Sequence, residues 1–273
     1  MKRFFVSSKL VSLMISARGR FDLIYAACSD LSDLGTISND HLGVHLITRI
    51  PMPGKMFIDV GANIGSIVGV IRRSAPSVKI IAIEAVPEKA RHLQTAFPGV
   101  EVHQCAVGDR DGHVPFFVNL RQSGYSSLSR PSQDKTDSVI ELQVPIAPLD
   151  RLVSATDVDA IKIDVEGAEL QVLRGSEIVI KKNRPLIMFE SGSEVDALLD
   201  VNKGAIWDYL SQIDYSIIVP NRLAHDGPGL RRDGYLEAHY YPRRSTNYFA
   251  VANERRTEYR DRARKLLSVS AHG

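Results

Sequence analysis

The stretch from Met56 to Ser66, MFIDVGANIGS, constrains the fold of this chain more than any other part of the sequence. Its first residues are apolar and predict a short buried strand, and Asp59 lies near the end of that strand. A turn with Gly61 and Gly65 follows, and apolar residues then recur at helical spacing. A strand, a glycine turn and a helix N-terminus together predict a site for a polar cofactor, because glycine lets the backbone approach a ligand closely.

The residues of this turn discriminate between classes of cofactor. A dinucleotide site would show G-x-G-x-x-G, whereas Ala62 and Asn63 stand here where further glycines would admit a diphosphate. The turn also lacks the Lys-Ser/Thr pair of a triphosphate-binding loop. Asp59 would repel a phosphate but could pair with an ammonium group. The turn therefore favours S-adenosylmethionine, which has an amino-acid head and a nucleoside tail. A turn that only joins a strand to a helix is the alternative.

A second carboxylate strengthens the cofactor prediction. The segment from Lys79 to Ala85, KIIAIEA, predicts another buried strand, and Glu84 lies at its C-terminal end. In α/β folds an acid about 20 residues beyond the glycine turn accepts the hydroxyls of a ribose. We therefore expect Glu84 to hold the ribose, and an acid that merely ends a strand is the alternative.

Strands and helices alternate along most of the remaining chain. A helix is predicted from Pro87 to about Ala96, because proline suits a first helical turn. Further strands are predicted at Val100–Val107, Ala160–Val165, Pro185–Glu190, Tyr215–Val219 and Asn247–Ala252. This pattern predicts an α/β fold with a doubly wound, mostly parallel sheet of seven strands, the last of them inserted antiparallel. Four acids then end strands on one rim of the sheet: Asp59, Glu84, Asp164 and Glu190.

Three regions are expected along the chain. Residues 1–50 form an N-terminal helical cap, residues 51–253 form the main domain, and residues 254–273 form a charged C-terminal helix whose basic residues are solvated. Within the main domain, residues 113–145 are an insertion with two short strands around a polar stretch. A long polar loop is typically a functional lid or a mobile surface segment, and its place after the third strand favours a lid.

Composition limits the cellular setting and the partners. The net formal charge of +2 shows no general nucleic-acid footprint, so we expect no nucleic-acid partner. Cys28 and Cys105 form neither a metal motif nor a disulfide framework, and a cytoplasmic setting is the default. No run approaches the roughly 20 apolar residues that span a bilayer. Residues 2–15 predict an amphipathic helix that packs on its own domain. A peripheral membrane contact through this helix and a homo-oligomer stay open.

Several segments together resemble the FkbM-type family of S-adenosylmethionine-dependent methyltransferases. They span about residues 57–191 and read FIDVGANIG, IEAVPE, AVGDRDG, SSL, PLDRL, IKIDVEGAELQVLRG and PLIMFE, of which the last two are the most specific. The resemblance implies a Rossmann-like, seven-stranded class I methyltransferase domain acting on hydroxyl oxygens of sugars, glycolipids or polyketide-like metabolites. The residues expected to bind the cofactor are Asp59, Gly61, Ala62, Asn63, Gly65, Glu84, Ala85 and Ala106.

Transfer of a methyl group to an alcohol requires a group that accepts the alcohol's proton. Asp164 is the first candidate for this base, followed by Glu190 and Glu166. Asp164 and Glu190 could instead hold a divalent ion such as Mg²⁺. Metal-dependent catechol-type enzymes carry an Asp-Asn pair after the fifth strand, however, and Glu190-Ser191 stands there. A mechanism without a metal is therefore favoured.

The acceptor is expected to be a small molecule or glycolipid with a free hydroxyl. Its predicted contacts are Tyr125 and Ser127 in the lid and His239 and Tyr241 in the late loop, with His239 or His225 as an alternative base. A non-catalytic module that only binds S-adenosylmethionine is the main alternative function. Methylation of nucleic acid is a lesser one, because Asp-Val-Glu-Gly stands where base-methylating enzymes carry Asn/Asp-Pro-Pro-aromatic.

Overall fold

The computed structural model describes residues 31–119, 139–154, 156–191, 203–240 and 245–268. The strands within these ranges are β1 (Met56–Val60), β2 (Lys79–Ile83), β3 (Glu101–His103), β4 (Ala106–Val107), β5 (Gly112–Asn119), β6 (Val139–Ala147), β7 (Val158–Ile163), β8 (Leu186–Glu190), β9 (Tyr215–Ile218) and β10 (Asn247–Ala252). Seven of them form one sheet in the order β3-β2-β1-β7-β8-β10-β9. Neighbours are parallel except β10, which is antiparallel to both β8 and β9. The predicted sheet with its reversed strand is confirmed.

Helices cover both faces of this sheet. They are α1 (Leu31–Ile47), α2 (Ser66–Ser74), α3 (Pro87–Ala96), α4 (Leu149–Leu152), α5 (Glu169–Arg174), α6 (Glu177–Asn183), α7 (Lys203–Gln212), α8 (Arg232–Glu237) and α9 (Arg256–Leu267). Side chains alternate along β1, so that Ile58 and Val60 enter one apolar core while Phe57 enters the core on the opposite face. Burial on both faces explains why the parallel strands are nearly continuous apolar runs.

The predicted third strand from Val100 to Val107 is wrong as a single element. β3 stays in the main sheet, where it pairs with β2, whereas β4 joins a separate three-stranded sheet in the order β4-β6-β5. The chain leaves the main sheet because Ala106 and Val107 pair with Ile146 and Ala147 of β6. β5 and β6 correspond to the two strands predicted in the insertion, and they are antiparallel to each other. The polar part of the predicted lid, residues 120–138, lies outside the described residues.

The C-terminal helix α9 packs on the domain and does not present a solvated basic face. Tyr259 and Ala263 are fully buried, and the hydroxyl of Tyr259 donates to the carbonyl of Asp159 at 2.9 Å. Arg255 and Arg262 pair with the carboxylate of Asp159 at 3.1 and 2.7 Å. Asp159 is only 3% exposed, so its charge is matched inside the protein by two guanidinium groups. α9 is thereby fixed at the amino-terminal edge of the sheet.

Helix α1 is fixed at the opposite end of the sheet, near the beginning of β10. The carboxylate of Asp40 accepts hydrogen bonds from the hydroxyls of Ser245 and Thr246 and from the amides of Thr246 and Asn247, at 2.7–3.0 Å. The amphipathic helix predicted within residues 2–15 lies outside the described residues. Across the described ranges, no helix combines the length and the apolar character needed to cross a membrane.

Replacing Asp159 should destabilise the domain without altering the cleft described below. We expect Asp159→Ala to lower the free energy of unfolding by about 3 kcal/mol, because two guanidinium groups and the Met52 amide lose their buried partner. Asp208→Ala removes an exposed ion pair with Arg232 and should cost less than about 1 kcal/mol. Urea denaturation measures both. Equal losses would show that the Asp159 cluster contributes no more than a surface pair.

Candidate functional site

A cleft opens where the carboxyl ends of β1, β2 and β7 lie side by side, and its cavity has a volume of about 70 Å³. Its floor comes from residues that follow these three strands. Ala106, Val107 and Phe116 of the small sheet form a further wall. Open α/β sheets bind ligands at this edge. The small sheet therefore shapes the cleft rather than lying apart from it.

The glycines of the turn after β1 are required by packing inside the protein. Gly61 has φ +78°, and a Cβ added there would lie 1.9 Å from the backbone oxygen of Asp164. Gly65 has φ +82°, and a Cβ there would lie 2.4 Å from the ring of Phe97. The amides of Gly61 and Ala62 both donate to the carbonyl of Ile83 at 3.0 Å. Gly61 thus lets the turn contact the backbone that follows β7.

Glu84 is held rigidly at the end of β2. It is 4% exposed, and its two carboxylate oxygens accept hydrogen bonds from the amides of Asn63 at 2.8 Å and Val86 at 2.9 Å. Burial raises the pKa of Glu84, while the charge of Lys89 and the two amides oppose that rise. The carboxylate also lines the cleft, so it presents fixed acceptor oxygens to a ligand.

The structure separates the eight predicted cofactor residues into two groups. Those that line the cleft are Gly61, Asn63, Glu84, Ala85 and Ala106. The other three are Asp59, Ala62 and Gly65. Ala62 is 4% exposed and packs in the apolar core beside α2, and Gly65 faces Phe97 and Leu93. These three residues stabilise the turn on the side away from the cleft.

Asp59 pairs with an ammonium group of the protein itself, whereas the ammonium group of the cofactor was predicted from the sequence. It is fully buried, and its carboxylate faces the ammonium of Lys162 on β7, with Nζ 3.4 Å from Oδ1. Nζ of Lys162 also lies 3.1 Å from Oδ2 of Asp164. Burial alone would lower the pKa of Lys162, but the two carboxylates raise it, so the ammonium stays charged. One buried cation therefore links the end of β1 to the end of β7.

Asp164 and Glu190 form a coupled pair of acids beside the cleft. Burial acts to raise the pKa of Asp164, but Lys162 and a hydrogen bond with Glu190 hold it below its usual value. Burial and the charge of Asp164 raise the pKa of Glu190 to about 9. At neutral pH Asp164 is therefore ionised, and Glu190 carries a proton that it donates to Asp164.

Glu166 completes a group of three carboxylates. Asp164, Glu166 and Glu190 each place an oxygen within 4.8 Å of the others. Glu166 has φ +56°, and the next amide, of Gly167, donates to the buried Glu169 at 3.1 Å. Asp164 and Glu166 line the cleft, and Glu190 lies at the end of the neighbouring strand β8. The structure thus brings together the three predicted catalytic residues.

His239, predicted as an acceptor contact and alternative base, is engaged inside the protein. Its Nδ1 lies 2.8 Å from the carbonyl of Tyr235, so that nitrogen carries the hydrogen and donates. Nε2 is then the acceptor for the hydroxyl of Ser191 at 3.0 Å, and Ser191 in turn accepts from the Tyr235 hydroxyl at 2.8 Å. The ring also stacks on Tyr248, with centroids 5.4 Å apart. These contacts tie His239 to Ser191, the residue that follows Glu190. The other predicted acceptor contacts lie outside the described residues: Tyr125, Ser127 and Tyr241.

Three residues of the site were not predicted from the sequence. Lys162 had a visible signal, because a lysine inside an apolar strand must be paired when it is buried. Lys89 on α3 and Phe116 on β5 also line the cleft, but no local pattern distinguishes them from surface or core residues.

The seven-stranded sheet with its reversed strand, the glycine turn after β1 and the acids after β2 and β7 define a class I methyltransferase domain. Residues 59–217 match the family described as the methyltransferase FkbM domain. This match covers more than half of the chain, which therefore belongs to the FkbM family.

Individual relatives are more distant. The chain is 30% identical to "Methyltransferase 1" of Beauveria bassiana (strain ARSEF 2860) over 46% of this chain and 60% of that protein. It is 27% identical to "Methyltransferase sdnD" of Sordaria araneosa over 45% and 61%. A solved structure, methyltransferase FkbM from Methylobacillus flagellatus KT, has a TM-score of 0.45 and 21% identity over 72% of this chain and 43% of that one. The chain thus spans less than two thirds of each of these relatives.

Two glycines with the same backbone conformation test the contact between the turn and Asp164. Gly54 has φ +79° and open space around it, whereas Gly61 has φ +78° and the backbone of Asp164 beside it. Gly54→Ala should cost about 1 kcal/mol of stability through its left-handed conformation alone. Gly61→Ala should cost at least about 2 kcal/mol more, because the added methyl group forces the two backbones apart. Thermal unfolding measures the difference, and similar losses would contradict the close approach.

The raised pKa of Glu190 predicts a pH-dependent stability. The folded chain keeps a proton up to about pH 9 that an ordinary carboxyl releases near 4.5, so the free energy of unfolding should fall between those values. In Glu190→Gln this fall should be smaller, since the amide cannot ionise. Urea unfolding at several pH values in this window measures it. Glu177→Gln, an exposed acid on α6, is the control and should follow the parent. Parallel curves for the parent and Glu190→Gln would show that Glu190 does not hold the proton.

Proposed function

We propose that this chain transfers a methyl group from S-adenosylmethionine to a hydroxyl oxygen of a sugar, glycolipid or polyketide-like metabolite. The observation that carries the proposal is that Asp164, paired with the ammonium of Lys162 at 3.1 Å, lines the same cleft as the fixed carboxylate of Glu84. One end of the cleft suits a nucleoside, and the other offers an acceptor for a hydroxyl proton.

The residues that line the cleft fit this cofactor. The side-chain oxygen of Asn63 is buried with no hydrogen-bond partner among the described residues, so it is available to a ligand that donates. The fixed oxygens of Glu84 suit the two hydroxyls of a ribose. Ala85, Ala106 and Phe116 offer an apolar surface for the flat base. Asp59 supports the site indirectly, because it helps to hold Lys162 beside Asp164.

The bound cofactor supplies a methyl group that is already activated, so the protein has to position the acceptor and take up a proton. We infer that Asp164 accepts a hydrogen bond from the acceptor hydroxyl and so orients the oxygen lone pair. Lys162 keeps Asp164 ionised for this purpose. As the new carbon–oxygen bond forms, the hydroxyl becomes strongly acidic and its proton passes to Asp164. Glu190 hydrogen-bonds Asp164 and fixes its orientation.

Asp164, Glu166 and Glu190 together could also hold a metal ion. A divalent ion takes oxygen ligands of this kind. The proton on Glu190 reduces the repulsion between the neighbouring carboxylates, as a bound cation would. We propose that the site uses this proton and no metal ion. Turnover should therefore be unchanged after treatment with EDTA. Loss of turnover that Mg²⁺ restores would replace the proton-sharing pair with a metal site.

Two variants separate binding from chemistry. Glu84→Gln should weaken S-adenosylmethionine binding at least about tenfold in calorimetry, because charged acceptors of hydrogen bonds are lost. Asp164→Asn should bind the cofactor but lose at least about 100-fold in turnover, the usual contribution of a general base. Glu177→Gln on α6 is the control for both measurements. Unchanged binding in the first variant would remove the cofactor assignment, and an active Asp164→Asn would place the base elsewhere.

Transfer of labelled methyl to extracts tests the acceptor class. We expect label in a lipid or polar-glycan fraction and none in nucleic acid. Binding of the cofactor without transfer to any fraction would instead favour a module that binds S-adenosylmethionine without catalysis.

A further inference from the structure

Lys89 occupies an unusual place for a lysine near the start of a helix. It is the third residue of α3, it is half-buried, and its side chain lines the cleft. Among the described residues that line the cleft, it is the one cationic side chain, and three acids line the cleft with it: Glu84, Asp164 and Glu166. A helix-surface lysine would normally point to water, so this position places a positive charge where the cofactor is expected.

The sheet order shows where the two carboxylates that interact with this charge lie. β2 and β7 flank β1, so Glu84 and Asp164 stand on opposite sides of the turn after β1. Lys89 interacts electrostatically with both of these carboxylates. Lys89 therefore lines the same cleft as both carboxylates and interacts with each of them. Burial lowers the pKa of Lys89, and the two carboxylates oppose this effect.

We propose that Lys89 is a charge-discriminating residue of the cofactor cleft that favours the neutral thioether product over the sulfonium cofactor. This inference rests on the proposed function, because it takes S-adenosylmethionine as the ligand. In the transfer, the carbon–sulfur bond breaks and its electron pair stays on sulfur, while an oxygen lone pair forms the new carbon–oxygen bond. Sulfur thereby loses its positive charge. A lysine ammonium nearby repels the donor but not the thioether, so it favours transfer within the complex.

Two substitutions isolate the charge of Lys89. Lys89→Met keeps most of the length of the side chain and removes the ammonium, leaving the three carboxylates without it. Lys89→Arg keeps the positive charge and is the control. Titration calorimetry gives the dissociation constants of S-adenosylmethionine and S-adenosylhomocysteine for each full-length protein, with thermal unfolding as a check that both variants fold.

We expect the preference for S-adenosylmethionine over S-adenosylhomocysteine to rise about tenfold in Lys89→Met, equivalent to about 1.4 kcal/mol. Lys89→Arg should keep the ratio of the parent. The change should shrink at high salt, because ions screen the charge. If Lys89 instead binds the carboxylate that both ligands share, the two affinities will fall equally, and this result would overturn the proposal. A reversed or unchanged ratio would overturn it as well.

The outcome is distinguishable from failure of the proposed function. If the parent binds neither ligand, the cofactor assignment itself fails. If the parent binds both ligands and Lys89→Met does not fold, Lys89→Gln is measured in its place and has to show the same change in ratio. Binding by the parent with a ratio that neither neutral variant alters leaves the cofactor assigned and rejects the role of Lys89.

Discussion

The contact of Lys162 with Asp59 and Asp164 is the interaction on which the rest of the structure depends. A lone ammonium within a fully buried strand would cost several kcal/mol, and the two carboxylates offset that cost from the neighbouring strand and from the loop after β7. The same cation keeps Asp164 ionised at the cleft. The stability of the central strands and the chemistry of the site therefore depend on one charge, and a change at either carboxylate affects both.

Much of the fold could be predicted because the central strands are continuous apolar runs bounded by glycine, proline or acids. β1, β2, β7 and β8 follow this pattern, and the acids after β2 and β7 predicted the rim of the cleft. The division of the third strand could not be predicted, because Ala106 and Val107 pair with β6, some 40 residues later in the chain. Local sequence carries no record of such a partner. For the same reason the charged residues of α9 suggested a solvated helix, although Arg262 pairs with the distant Asp159.

The sequence predicted which residues form the candidate site more accurately than it predicted their roles. Spacing identified the glycine turn and Glu84, but it could not show which side of the turn faces the cleft, and Ala62 packs in the core. The acids at the strand ends have similar positions in the sequence, but their environments in the structure differ. Asp59 is paired with Lys162, Glu84 is fixed by amides, and Glu190 has a pKa raised to about 9. These differences arise from burial and from residues distant in sequence, which no local pattern encodes.

The close approach of Gly61 to the backbone oxygen of Asp164 has a mechanical consequence. The turn that would hold the cofactor and the loop that carries the proposed base touch through main-chain atoms, with no compressible side chain between them. A displacement of the turn toward this loop would therefore act directly on the backbone of Asp164. Occupation of the cofactor end would in this way act on the proposed base through the main chain rather than through side chains.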